Sequence, residues 1–141
     1  MLRLQCKNIL KNNNLSITKN RLNVLNLFLS TKTALSLKSI NTSLKKIDRV
    51  TVFRVLNIFE KNKIIHKIQL QKGKIFYALC EKECSDNHNH NHNHDHIHFL
   101  CEDCDNLFCL PISNFPKFNI PDHKLKKIDI NISGLCSSCN V

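Results

Sequence analysis

Apolar residues recur at helical spacing through the first sixty positions, then switch to the alternation and short runs of strands. Leu2, Cys6, Ile9 and Leu10 predict a short helix over residues 2–13. Leu22, Leu25 and Leu29 form a stripe, with Val24 and Phe28 beside it, behind Thr18, a residue suited to an N-cap. Ser36 heads a third helix whose Leu37, Ile40 and Leu44 face inward. Asp48 caps a fourth, RVTVFRVLNIFEKN, in which Val52, Val55, Leu56 and Phe59 fall at i, i+3, i+4 and i+7 as one buried stripe. Arg49, Phe53, Arg54, Asn57 and Lys61 lie away from that stripe. Two strand-like runs follow, IIHKIQL and KIFYAL, joined by the turn signal Gln71-Lys72-Gly73. Later, residues 97–101, 106–110 and 127–133 read as strands of a small sheet, and the three prolines of PISNFPKFNIPDHK argue against a long helix between the last two.

Helices followed by a β-hairpin outline a winged helix-turn-helix, in which the last helix before the hairpin enters the DNA major groove. The expected fold class is therefore α+β. A winged-helix domain spans residues 1–80, a His-rich hinge residues 81–95, and a small zinc-stapled α/β domain, mostly a three-stranded sheet, residues 96–141. Charge supports the division. Of the 141 residues, positions 1–79 carry 16 Lys and Arg against 2 Asp and Glu, whereas positions 80–141 carry 5 against 9. The overall charge of +10 calls for an acidic partner, and the basic half is where it would bind. On the fourth helix Arg54 can fork two hydrogen bonds to a guanine edge, Thr51 can reach a base or phosphate, and Arg49 adds charge. Phe53, on the polar side, either meets a thymine methyl or packs under the wing or first helix. No window has the roughly 18–20 consecutive apolar residues of a membrane span, and the N-terminus lacks a signal peptide's apolar core, so a cytoplasmic location without a membrane partner is expected.

Residues 88–104, HNHNHNHDHIHFLCEDC, crowd histidines, an aspartate and a Cys-x-x-Cys pair into seventeen positions. In a reducing compartment such cysteines hold metal more readily than they form disulfides. Cys101 and Cys104 with Cys136 and Cys139 supply the four thiolates of a closed tetrahedral structural zinc site. The Asn-His alternation before them is low complexity and either scavenges metal loosely or is a linker without a role. Enzyme signatures are missing. No HExxH or His-x-Glu stands among the histidines, and two glycines cannot build a phosphate-binding loop. A zinc-storage protein or metallochaperone would account for the histidines but not for the basic half.

Taken in order, ITKNRLNVLNLF, DRVTVFRVLNIFEKNKIIHKI, HDHIHFLCEDC and GLCSSC make the chain resemble the ferric uptake regulator family of metal-responsive transcription factors over nearly its whole length. Thr51-Val52-Phe53-Arg54 stands where the family has Thr-Val-Tyr-Arg. The resemblance implies a homodimer whose second domain dimerises and which, when metal-loaded, closes on a palindromic operator and represses metal-uptake genes. It also implies a regulatory site. By similarity to the zinc-sensing branch, the zinc uptake regulators, its ligands would be His66, Cys80 and one of His94 and His96, with Cys109 replacing a carboxylate. His98 is a further candidate beyond the hinge. Such ligands would bring the two domains together. Soft thiolate favours Zn2+ over Fe2+ at that site. Iron-type members carry a histidine before the third helix and a carboxylate on the second wing strand, where this chain has Ala34 and Ala78. Zinc sensing is thus ahead of the iron-responsive alternative. The many relatives with a substantial helix before the last strand differ from this proline-broken segment.

Overall fold

In the computed structural model the chain divides into two compact units, Met1–Glu81 and Lys82–Val141. The structure describes residues 1–31, 33–79, 96–111, 116–126 and 128–140.

The first unit holds four helices and a three-stranded sheet. Helix α1 spans Leu2–Asn12, α2 Lys19–Ser30, α3 Leu37–Ser43 and α4 Arg49–Lys61. The three anticipated caps form. Thr18 Oγ1 accepts from the Arg21 amide at 3.3 Å, Ser36 Oγ from the Ser39 amide at 3.1 Å, and Asp48 Oδ1 from the Thr51 amide at 2.9 Å. Each satisfies one of the amides that a helix start leaves without a partner. The core is built around the α4 stripe. Val52, Leu56 and Phe59 are fully buried and pack with Leu10 of α1, Val24, Leu25 and Phe28 of α2, and Ile40 of α3. On α2 the buried face is centred on Val24, Leu25 and Phe28, whereas Leu22 and Leu29 are half-buried. The expected stripe was therefore rotated, because α2 packs on both α1 and α4 and turns the face between those contacts inward.

Strand β2, Ile65–Gln69, and β3, Ile75–Leu79, make the expected antiparallel hairpin, with Ile65 opposite Leu79 and Gln69 opposite Ile75. Between them lies a 3-10 turn, Gln71–Gly73, in which Lys72 and Gly73 both have positive φ, 65° and 72°. The sequence pattern missed β1, Leu35–Ser36, which pairs antiparallel with β3 so that the sheet order is β1-β3-β2. Two residues carry no period, and only the β3 edge they pair with defines them as a strand.

The second unit is a sheet of order β5-β4-β6. Strand β4, His96–Cys101, lies in the middle, antiparallel to β5, Leu107–Pro111, and parallel to β6, Asn131–Gly134. The last strand starts later than the anticipated 127–133. Its register with β4 begins where Asn131 meets His98, and the Ile130 carbonyl just before it accepts from the His98 amide at 3.0 Å. Among the described residues of 105–135 there is no helix, in keeping with the prolines. Among the described residues of this unit the buried ones are few, Ile97, His98, Cys101 and Leu107, while Leu110, Phe118, Ile120, Leu125, Ile132 and Leu135 are exposed. Among the described residues no helix is long and apolar enough to cross a membrane.

Candidate metal centre and nucleic-acid interface

The cysteines meet because β4 and β6 run parallel. That pairing sets Cys101 beside Gly134, so the turn after each strand leaves the sheet at the same end. At the first turn the Asp105 amide donates to the Cys101 carbonyl at 3.0 Å, and at the second the Asn140 amide donates to the Cys136 carbonyl at 2.8 Å. Each turn curls its two sulfurs inward. The Sγ atoms of Cys101, Cys104, Cys136 and Cys139 all lie within 4.8 Å of one another. Cys104 Sγ is 3.9 Å from Cys136 Sγ. A tetrahedral ion with Zn–S bonds of about 2.3 Å requires sulfur separations of about 3.8 Å, so the set fits zinc.

The electrostatics of the cluster agree. Amides of Cys104 and Cys136 point at Cys101 Sγ, the latter at 3.4 Å, and hold its thiol down at about 6. Cys139 is pushed the other way, first by the neighbouring Cys136 and then by burial. Four thiols this close cannot all ionise beside one another without a cation between them. Gly134, the partner of Cys101 in the ladder, lies close to Phe99. A Cβ there would stand 3.3 Å from the Phe99 ring.

A second row of donors crosses the same sheet. His98 on β4 is opposite Cys109 on β5 and Asn131 on β6, so the three lie side by side on one face. His98 is buried, and its Nδ1 is 3.3 Å from Asn131 Oδ1, a contact that orients the ring. His96 opens β4 opposite Pro111. In the first unit His66 sits mid-strand on β2, half-buried, directly opposite Ala78. Cys80 and His94, the remaining expected sensor ligands, lie outside the described residues. Asn131 escaped the sequence reading because only the parallel register puts it next to His98.

Helix α4 turns its charged face outward. Arg49, Phe53, Arg54, Asn57 and Lys61 are all exposed. Phe53 is 49% exposed. Thr51 is more committed than expected, because its hydroxyl donates to Asp48 Oδ2 at 2.6 Å while its amide holds Oδ1. Those two bonds keep the Asp48 carboxyl below its ordinary range, the hydroxyl bond contributing most.

Comparison with known proteins bears on both sites. Residues 12–115 match the model of the ferric uptake regulator family. The chain belongs to that family. A ferric uptake regulation protein of Staphylococcus epidermidis is 33% identical over 143 residues, covering 93% of this chain and 91% of its own. Among solved structures, the ferric uptake regulator of Vibrio cholerae superposes with a TM-score of 0.62 at 21% identity, over 92% of this chain and 98% of that one. A zinc uptake regulator complexed with zinc and DNA also gives 0.62 at 21% identity, over 98% and 92%. At that identity the likeness is one of fold. As a member of the ferric uptake regulator family the chain is a metal-responsive transcription regulator, with a cysteine cluster able to hold zinc.

Proposed function

We propose that the chain is a zinc-sensing repressor of metal-uptake genes, a homodimer that binds a palindromic DNA operator through α4. Arg49, Phe53 and Arg54 form the base-facing surface, and Thr51 holds the start of the helix for them. Cys101, Cys104, Cys136 and Cys139 hold a structural zinc that contributes to folding and not to switching. Sensing uses Cys109 and His98, with His66, Cys80, His94 and His96 as candidates for the remaining ligands on the family resemblance.

The observation that carries the choice of metal is the pairing of His98 with Cys109. A thiolate beside an imidazole is a donor set that favours zinc over ferrous iron. The other half of the argument is Ala78. Its buried methyl faces His66 at the place where iron-type members have a carboxylate. The dimer that binds DNA is favoured to the extent that the sensing ligands bind metal better in it than in the alternative state.

An iron-responsive regulator is the second reading, favoured by the name of the Staphylococcus epidermidis relatives. The two are separated by operator binding of protein stripped at the sensing site but retaining its structural zinc, titrated with Zn2+ and with Fe2+ under anaerobic conditions. Recovery with zinc at lower free concentration supports the proposal. Recovery with iron alone refutes the zinc assignment, and binding indifferent to either metal refutes sensing.

A further inference from the structure

Helix α4 exposes two large apolar side chains among its charges. Val50 is 59% exposed and Phe53 49%. Both fall in the first two turns, three residues apart, and so lie on one face. Thr51, between them in sequence, is tied to Asp48 by both its amide and its hydroxyl, which fixes the backbone from which they project. An isolated exposed valine is ordinary on a protein surface. A valine and a phenylalanine side by side, at the start of a helix flanked by Arg49 and Arg54, form a step of apolar surface inside a cationic one.

We propose that Val50 is a further specificity determinant of α4, which reads the C5-methyl group of a thymine on the base pair next to the one that Phe53 faces. The inference rests on the reading of α4 as the DNA-binding helix and adds the class of sequence it selects. Three residues of helix advance about 4.5 Å along the axis, close to the spacing of about 3.4 Å between successive bases. A helix lying along the groove therefore presents i and i+3 to adjacent pairs. Among the bases only thymine shows a methyl in the major groove, whereas the other edges show donors and acceptors that valine cannot satisfy and would desolvate. Arg54, four residues after Val50, then falls beside the step, so the half-site should contain two adjacent thymine-bearing pairs next to a guanine.

The test uses the full-length, zinc-loaded protein and a random duplex pool. The enriched half-site is rebuilt with deoxyuridine in place of each thymine in turn, which removes the methyl and leaves base pairing intact. Two neighbouring thymines are expected whose replacement weakens binding about fourfold each, the value of one buried carbon. Val50→Ala should lose the response at one of them and keep it at the other, and Val50→Thr, which retains one methyl, should keep part of it. Val50 is exposed, so neither change threatens the fold. Enrichment of a duplex that tolerates deoxyuridine everywhere, or a Val50→Ala protein with both responses intact, overturns this inference alone. Failure to enrich any duplex overturns the DNA-binding reading and this inference with it.

Discussion

Cys109 faces His98 directly across the β4–β5 ladder, with Asn131 on the far side of the histidine. A thiol and an imidazole are thereby held at fixed spacing by backbone pairing, independent of any loop. Replacing Cys109 with Ser or Ala should remove the more weakly held zinc and leave the tightly held one, read by titration with a chromogenic chelator. Cys109→Asp, which exchanges sulfur for oxygen, should move the metal preference of operator binding toward ferrous iron. A Cys109→Asp protein with unaltered preference would show that Cys109 is not a ligand.

Cys136→Ser should release the tightly held zinc and unfold the second unit selectively. Among its described residues few are buried, too few to hold the sheet once the clamp is lost. Amide resonances of residues 96–140 should collapse toward random-coil positions while those of α2 and α4 keep their dispersion. A chelator strong enough to strip the site should do the same to the wild-type protein.

The helices were legible because each is announced twice, by a capping residue and by an apolar period. Thr18, Ser36 and Asp48 mark their starts, and the α4 stripe is the register on which the core assembles. The wing hairpin was legible for a similar reason, since its turn needs a residue at positive φ and Gly73 supplies one. What the pattern could not carry was long-range. Nothing local in Asn131–Gly134 says that it pairs parallel with β4, and therefore nothing local puts Asn131 beside His98 or Cys136 beside Cys101. Convergence of the four cysteines was anticipated from ligand chemistry, but the route by which they converge was not. Thr51 shows the opposite limit. Its place on the outward side of the fourth helix suggested contact with DNA, and the bond its hydroxyl donates to Asp48 was not foreseen.

Asp48 makes the start of α4 sensitive to acid. Its folded carboxyl is held below the ordinary value by the Thr51 hydroxyl and amide. The stability it contributes is therefore complete above its unfolded value of about 3.9, and it is lost as pH falls through the lower folded value. Asp48→Asn keeps an acceptor for the Thr51 amide but does not titrate. Thermal unfolding followed by helical signal should show the wild type melting above Asp48→Asn at neutral pH, with the gap closing below about pH 4. A gap unchanged down to pH 2 would contradict the assignment.

Arg54 and Phe59, five residues apart on α4, should fail in opposite ways. Arg54 is exposed, so Arg54→Ala should alter stability by no more than about 0.5 kcal/mol while abolishing preference for operator over random duplex. Phe59 is fully buried, and Phe59→Ala should cost about 3–5 kcal/mol, seen as an earlier denaturation midpoint. Competition binding for the first and chemical denaturation for the second distinguish a reader from a strut.

The parallel pairing of β4 with β6 sets an order of events in time. Cys101 and Cys136 are 35 positions apart, and no hairpin turn can bring two parallel strands together. The main contacts of the first unit join chain neighbours, β2 with β3, α1 with α2 and α4 with β2, and local contacts form early, whereas a closure over that distance must first overcome its loop entropy. A newly made molecule is thus expected to fold α4 before its second unit, whose four cysteines come together only when β4 and β6 pair. If the cysteine cluster takes up zinc as proposed, the supply of zinc at the moment of synthesis would decide how many chains become complete molecules.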